Sequence, residues 1–272
     1  MKKIAIISDP QINLSDLSHK KDYDYLTRCF QHMDVDSVVV CGDITENAQE
    51  EEWDLFLRTF KEASRSERLL LIPGNMDLTY TTKGRETFDQ VMTKHRGQAP
   101  DHVFLEYEGD QYALFGLAVE QNDDHCPISD YQIQRLDRFL ERAAHLNIPA
   151  IVFGHYVLND TISINWRFAE LGPQSEVIKD LFNKHGGWVF YFSGHVHRGL
   201  IKEEGHTVKQ IGRVTYISTP SLCHPDNEHY QVDHGEVGSG FMVDLHEESV
   251  IIKGYDFMNA KELRDFTWTI PL

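Results

Sequence analysis

Five short stretches of this chain carry side chains able to hold a cation, and each follows an apolar run. Asp9 and Gln11 follow "IAIIS", Gly42-Asp43 follows "VVVC", and Gly74-Asn75 follows "LLLIP". Gly154-His155 follows "AIVF", and Gly194-His195-Val196-His197 follows "FYFS". Short continuous runs of branched and aromatic residues read as strands buried on both faces. In open α/β sheets the carboxyl ends of the strands are where sites assemble. Four of the five stretches place the functional residue just after a glycine, which lets the chain turn sharply. In an extended segment His195 and His197 share one side. The combined set is Asp9, Gln11, Asp43, Asn75, His155, His195 and His197, rich in oxygen and imidazole and free of thiolate. Such donors suit Mn, Fe, Zn, Ni or Mg rather than soft Cu(I). A single GD or GH after a strand is most often only a turn. The agreement of order and placement across all five is what points to metal.

The elements that must position these residues alternate. Tyr23, Leu26, Phe30 and Met33 recur at helical spacing between the first two runs. Trp53, Phe56, Leu57 and Phe60 do the same between the second and third. Ser129 and Gln132 form an S-x-x-Q capping box ahead of Ile133, Leu136, Leu140 and Ala143. Another helix is predicted after Pro173, carrying Val177, Ile178, Leu181 and Phe182. Strand-helix alternation predicts parallel crossover units. From about residue 199 the helical signals fade. "TVKQIGRVTYIS", "GFMVDL" and "SVIIKGYDF" predict a second, more antiparallel sheet. "HVFLEY" and "QYALFGL", flanking Gly109-Asp110, predict a hairpin. No linker, repeat or low-complexity tract interrupts the chain, so a single domain over residues 1–272 is expected.

Bulk composition narrows the function. The 272 residues are 41% hydrophobic and 11% aromatic, as in a globular protein, and the net charge is −17 with His neutral. That balance argues against a nonspecific nucleic-acid binder, which needs a basic footprint. Cys29, Cys41, Cys126 and Cys223 are scattered with no CxxC pair, which reads as reduced thiols in a cytoplasmic protein. Asp9 cuts the first apolar run too early for a signal peptide. No stretch reaches the roughly 18 apolar residues that span a membrane.

The ordered blocks resemble D-x-H, GD, GN-H-D/E, GH and GHxH of the calcineurin-like metallophosphoesterases, from Asp9 through "STPSL" at 218–222. The resemblance implies an α/β fold, a four-layer αββα sandwich of two mixed sheets flanked by helices. It implies two divalent ions, one held by Asp9, Gln11, Asp43 and His197. The other would be held by Asp43, Asn75, His155 and His195, with Asp43 bridging. Asp43, Asn75 and His155 would then be catalytic. Paired ions about 3.5–4 Å apart bind phosphoryl oxygens and acidify a water for in-line attack on phosphorus.

Two positions depart from that pattern. Gln11 stands where the family usually has His, and its amide oxygen is a neutral, harder donor. The D-x-Q variant resembles the manganese-dependent ADP-ribose/CDP-alcohol diphosphatases. Met76 stands where a second His is usual near the leaving group. Methionine donates no proton, and general-acid help is typically worth about 10²–10⁴-fold. Diphosphates or activated diesters are therefore expected over alkyl monoesters, because a phosphate leaving group has a second pKa of about 6. His125, His224 and His229 are alternative proton sources in polar segments. The polar stretches 120–130 and 223–240 have the character of specificity loops. Arg167 is a candidate phosphate clamp, Tyr156 and Trp166 are candidate stacking residues, and His224 is a further substrate contact. The expected activity is a phosphodiesterase or diphosphatase on a small nucleotide-like or phosphodiester substrate. A nuclease and a catalytically weak metal-binding scaffold are the competing readings.

Overall fold

The computed structural model describes residues 2–14, 23–66, 68–79, 84–96, 105–108, 111–120, 128–164, 171–223, 225 and 232–272. The first half of the chain runs β1 (Lys2–Ile7), α1 (Tyr23–Gln31), β2 (Ser37–Cys41), α2 (Glu50–Ala63), β3 (Leu69–Ile72), α3 (Asn75–Thr79), α4 (Gly84–Arg96), β4 (Leu105–Glu108), β5 (Ala113–Leu117) and α5 (Asp130–His145). The second half runs β6 (Ala150–Gly154), α6 (Gln174–Lys184), β7 (Val189–Ser193), β8 (Val208–Ile211), β9 (Val214–Ser218), β10 (Ser239–Leu245), β11 (Ser249–Asp256) and β12 (Lys261–Pro271).

Two six-stranded mixed sheets form, ordered β12-β11-β10-β1-β2-β3 and β4-β5-β6-β7-β9-β8. β1, β2 and β3 are parallel, as are β5, β6, β7 and β9. The expected second, more antiparallel sheet after residue 199 is not what forms. β8 and β9 join the sheet of β5–β7, while β10, β11 and β12 run antiparallel and complete the sheet of β1–β3. Hydrophobic pattern reveals that a strand exists but not which edge it joins. β12 escapes the pattern because Lys261, Glu262, Arg264 and Asp265 surround its buried Leu263 and Phe266. The β4–β5 hairpin forms as expected; its Gly109-Asp110 turn lies outside the described residues.

The sheets face each other across a shared apolar core, with Phe192 of β7 6.1 Å from Phe241 of β10. Helices cover the outer faces. Phe30 of α1 meets Phe56 and Phe60 of α2 edge-on at 5.4 and 5.3 Å, and Trp53 of α2 meets Phe88 of α4 at 5.6 Å. On the other side Phe139 of α5 packs on Phe115 of β5 at 5.2 Å. Ser129 caps α5 by accepting the Gln132 N–H, but the Gln132 side chain does not reach back to complete the box. It points inward and bonds both backbone groups of Ala118, at 3.0 and 2.8 Å. The Ser129 N–H that the box would have used donates instead to Glu120 Oε2 at 3.0 Å, so the Gln132 amide is left to satisfy two interior backbone groups. Cys29, Cys41 and Cys223 are buried and in no disulfide. Among the described residues no helix is long and apolar enough to cross a membrane.

Candidate metal centre

The carboxyl ends of β1, β2 and β3 meet those of β6 and β7 across the two sheets. Asp9 N–H donates to the Gly42 carbonyl at 3.1 Å, and Gly194 N–H donates to the His155 carbonyl at 2.9 Å. The His195 N–H then crosses between sheets to the Asp9 carboxylate, 3.1 Å from its nearer oxygen. "STPSL" seals the base, with Leu222 N–H on the Ser8 carbonyl at 2.8 Å and Ser221 Oγ on the Asp9 carbonyl at 3.2 Å. Contact at these ends is close. At Gly42, which has φ +90°, a Cβ would come within 2.5 Å of His155 Nδ1, and at Gly74 it would collide with the Asp43 carboxylate.

The backbone at the candidate ligands is itself unusual. Asp9, Gln11, Asp43, His195 and His197 have φ of 50°, 42°, 50°, 67° and 49°, five of nine such non-glycine residues among those described. L-residues rarely adopt this region. It persists where surroundings over-determine it, and it concentrates at functional sites.

The side chains converge in two groups that share Asp43. Asp43, His155 and His195 offer ligand atoms all within 4.8 Å of one another, and so do Asp9, Asp43 and His197. His155 Nδ1 lies 2.9 Å from the Cys41 carbonyl, so this nitrogen carries the proton and donates. Nε2 faces Asp43 Oδ2 at 3.1 Å, Asn75 Oδ1 at 2.9 Å and His195 Nδ1 at 3.1 Å, so these groups meet around either a proton on Nε2 or a cation that replaces it. His197 Nε2 is 3.2 Å from Asp9 Oδ1. Lone pairs converging on one point in a buried site are satisfied together by a cation. The residues present thus fit a metal pair, with carboxylates balancing its charge.

The protonation energetics carry the same message. Burial alone would lower the His155 imidazole, but the Asp43 carboxylate outweighs it and pushes the group up to about 9. His195 goes the other way, pulled down to about 4 by burial and by the charge on His155. Burial opposes ionisation of Asp9, yet His197 and His155 beside it hold the carboxyl below its ordinary value. The site attracts positive charge and cannot distribute it evenly as protons.

The family model described as calcineurin-like phosphoesterase matches residues 2–199. The chain belongs to that family. Membership makes it a metal-dependent phosphoester hydrolase. Its fold is similar to that of a dimetal phosphatase from Danio rerio, at 14% identity and TM-score 0.67, covering 99% of this chain and 98% of that one. It is also similar to GAP50, the anchor in the inner membrane complex of Plasmodium, at 13% identity and TM-score 0.63, covering 100% and 88%. A Staphylococcus aureus protein provisionally described as a 5′-nucleotidase, in complex with alpha-ketoglutarate, aligns at 12% identity and TM-score 0.51, covering 99% and 54%. No curated protein matches the chain.

Within this calcineurin-like phosphoesterase the remaining sequence candidates divide. Gln11 is half-buried, and its side chain makes no hydrogen bond among the described residues. Met76 donates its backbone N–H to Asp43 Oδ1 at 2.8 Å. Tyr156 packs its ring on His195 at 4.6 Å between centroids and on His155 at 5.4 Å. The buried Tyr191 hydroxyl holds it there by donating to the Tyr156 carbonyl at 2.6 Å. Arg167, His224, Trp166, His125 and His229 lie outside the described residues.

Two buried carboxylates were not singled out from the sequence. Asp77 accepts N–H groups from Gly74, Ile44 and Thr45 and the Thr45 hydroxyl, tying the β2 and β3 ends together. Glu52 accepts from Leu14, Asn47 and Gln49, tying the β1 and β2 loops together. The acidic position of the GN block was the available signal for Asp77. Glu52 stands in the acidic run Glu50-Glu51-Glu52, which carries no local sign of burial.

Proposed function

We propose that this protein is a metal-dependent phosphodiesterase or diphosphatase acting on a small nucleotide-like or phosphodiester substrate, through a single domain over residues 1–272. The convergence of two ligand groups on a shared Asp43 is the observation that carries the reading. Asp9, Gln11, Asp43 and His197 would hold one divalent ion, and Asp43, Asn75, His155 and His195 the other. When bound, such a pair acidifies a water and draws negative charge from the phosphoryl oxygens.

The chain's own groups prepare that chemistry. The Cys41 carbonyl fixes the His155 tautomer, leaving Nε2 as a ligand atom. The Met76 N–H engages Asp43 Oδ1 and leaves Oδ2 facing His155. The Met76 side chain holds no proton for a departing oxygen. That supports substrates whose leaving groups depart unprotonated, either phosphates or acidic alcohols. The uncommitted Gln11 amide oxygen, a hard neutral donor, supports manganese or magnesium at the first position. Three buried cysteines in no disulfide support a reducing compartment, the cytoplasm.

The test is turnover of bis(p-nitrophenyl) phosphate and p-nitrophenyl phosphate with Mn and with chelator. Metal-dependent hydrolysis favouring the diester is expected. No metal-dependent turnover of either would favour a binding scaffold. Cleavage of oligonucleotides that is abolished by Asp43→Asn would favour a nuclease.

A further inference from the structure

On the loops that carry candidate ligands after β1 and β2 stand two amides, Asn13 and Asn47, and a buried carboxylate fixes the orientation of Asn47. The β1 and β2 loops run side by side, with Gln11 N–H on the Asp43 carbonyl at 3.0 Å, Ile12 N–H on the Ile44 carbonyl at 3.0 Å and Glu46 N–H on the Ile12 carbonyl at 2.9 Å. Asn13 lies two residues past Gln11 and Asn47 four past Asp43 on these loops, and both are partly exposed. Behind them Glu52 is fully buried, at 0% exposure. It accepts from Leu14 N–H at 3.3 Å, Asn47 N–H at 3.0 Å, Asn47 Nδ2 at 3.0 Å and Gln49 N–H at 3.4 Å.

A carboxylate bonded only to N–H groups is an acceptor and nothing else. The Asn47 atom that faces it is therefore the NH₂, since a flipped amide would set oxygen against oxygen. The other hydrogen of that NH₂ points to Asn13 Oδ1, 3.4 Å away. Both Asn47 side-chain hydrogens are thus committed, and its Oδ1 is turned away from Glu52. Among the described residues nothing donates to that oxygen. An exposed asparagine ordinarily turns to suit whatever it meets. This one is held as an acceptor by a buried group, which is how a recognition element is preorganised.

We infer that Asn47, oriented by Glu52, is a specificity residue whose Oδ1 accepts a hydrogen bond from the non-reacting arm of the substrate. The arm it suits is neutral and carries O–H or N–H donors, as a nucleoside or polyol does. A second phosphate or a carboxylate would set like partial charges together there. This deepens the phosphodiesterase reading and rests on it.

The test uses the whole chain with Mn and two substrates sharing one leaving group. Thymidine 5′-p-nitrophenyl phosphate carries a donor-bearing arm, and bis(p-nitrophenyl) phosphate does not. In Asn47→Ala the ratio of kcat/KM for the nucleoside ester to that for the bis-aryl ester is expected to fall roughly 3- to 10-fold, the worth of one hydrogen bond, chiefly through KM. Glu52→Gln, which offers an N–H to the amide and so permits the flip, is expected to lower the ratio as well. An unchanged ratio in Asn47→Ala, including an equal loss on both substrates, overturns the inference while leaving the phosphodiesterase reading intact. A wild type that hydrolyses neither ester with Mn overturns both.

Discussion

The Met76 N–H donates to Asp43 Oδ1 at 2.8 Å, so Met76 supports the shared carboxylate through its backbone while its side chain is chemically silent. Backbone and side chain can therefore be separated by mutation. Met76→His keeps the amide and adds an imidazole where the family usually carries one. Hydrolysis of alkyl monoesters such as glycerol phosphate, whose alkoxide leaving group needs a proton, is expected to rise by at least about 10-fold. The p-nitrophenyl esters gain far less. Steady-state rates on both substrate types check this, and equal gains would show that the position does not govern proton supply.

Gln11 carries a partly buried amide with no hydrogen bond among the described residues, on a backbone with φ 42°. If its oxygen completes the first ligand group, Gln11→His should change both the amount and the identity of the retained metal. Imidazole binds borderline ions such as zinc and iron more readily than an amide does. Elemental analysis after purification from mixed-metal medium reads this directly. Equal content and identity in the two proteins would place Gln11 outside the ligand set.

Asp77 tests how firmly the strand ends are tied. Burial, reinforced by the nearby Asp43 carboxylate, pushes Asp77 up to about 7 from an ordinary 3.8. An acid raised by folding binds its proton more tightly folded than unfolded. Its contribution in the metal-free protein is therefore fully present below about pH 4 and declines as pH rises to about 7. The difference in unfolding free energy between wild type and Asp77→Asn should shrink across that window by on the order of 3 kcal/mol. Comparing the two proteins cancels the opposing titration of His195. Urea melts at several pH values measure the difference, and a flat profile would sink the assignment.

The α/β fold of two mixed sheets and the clustering of the candidate ligands were both legible in the sequence. Asp9, Asp43, His155, His195 and His197 could be read because each follows a buried strand, and strand ends are marked by where an apolar run stops. The left-handed backbone at four of them, Asp9, Asp43, His195 and His197, left no mark, since glycine announces such a turn and Asp or His does not. Sheet membership was the chief miss. β10 and β11 were seen as strands, but only the long-range pairing of Ile4 with Val243 puts them beside β1. Glu52 and Gln132 were hidden for a related reason. Whether an acid or amide in a helix's first turn faces water or a neighbouring loop is decided by tertiary contact, not by the local sequence.

Metal should stabilise the fold, because without it the Asp9 and Asp43 carboxylates and three imidazoles crowd one buried space. A ligand at 100 times its Kd, binding only the folded state, adds about 2.7 kcal/mol. At about 2–4 °C per kcal/mol for a chain of roughly this size, saturating Mn should raise the Tm by about 5–10 °C over protein in chelator. Asp43→Asn keeps the shape but removes the charge common to both ligand groups. It should lose most of that metal-induced rise and about 10²-fold or more of the turnover, as removal of one charge-stabilising group at a reacting centre does elsewhere. In chelator the variant should melt lower than wild type, because the buried His155 imidazole loses the carboxylate that holds its proton. Scanning calorimetry with and without Mn separates the two effects. A variant that kept the full metal shift would show that Asp43 is not the group the two ions share.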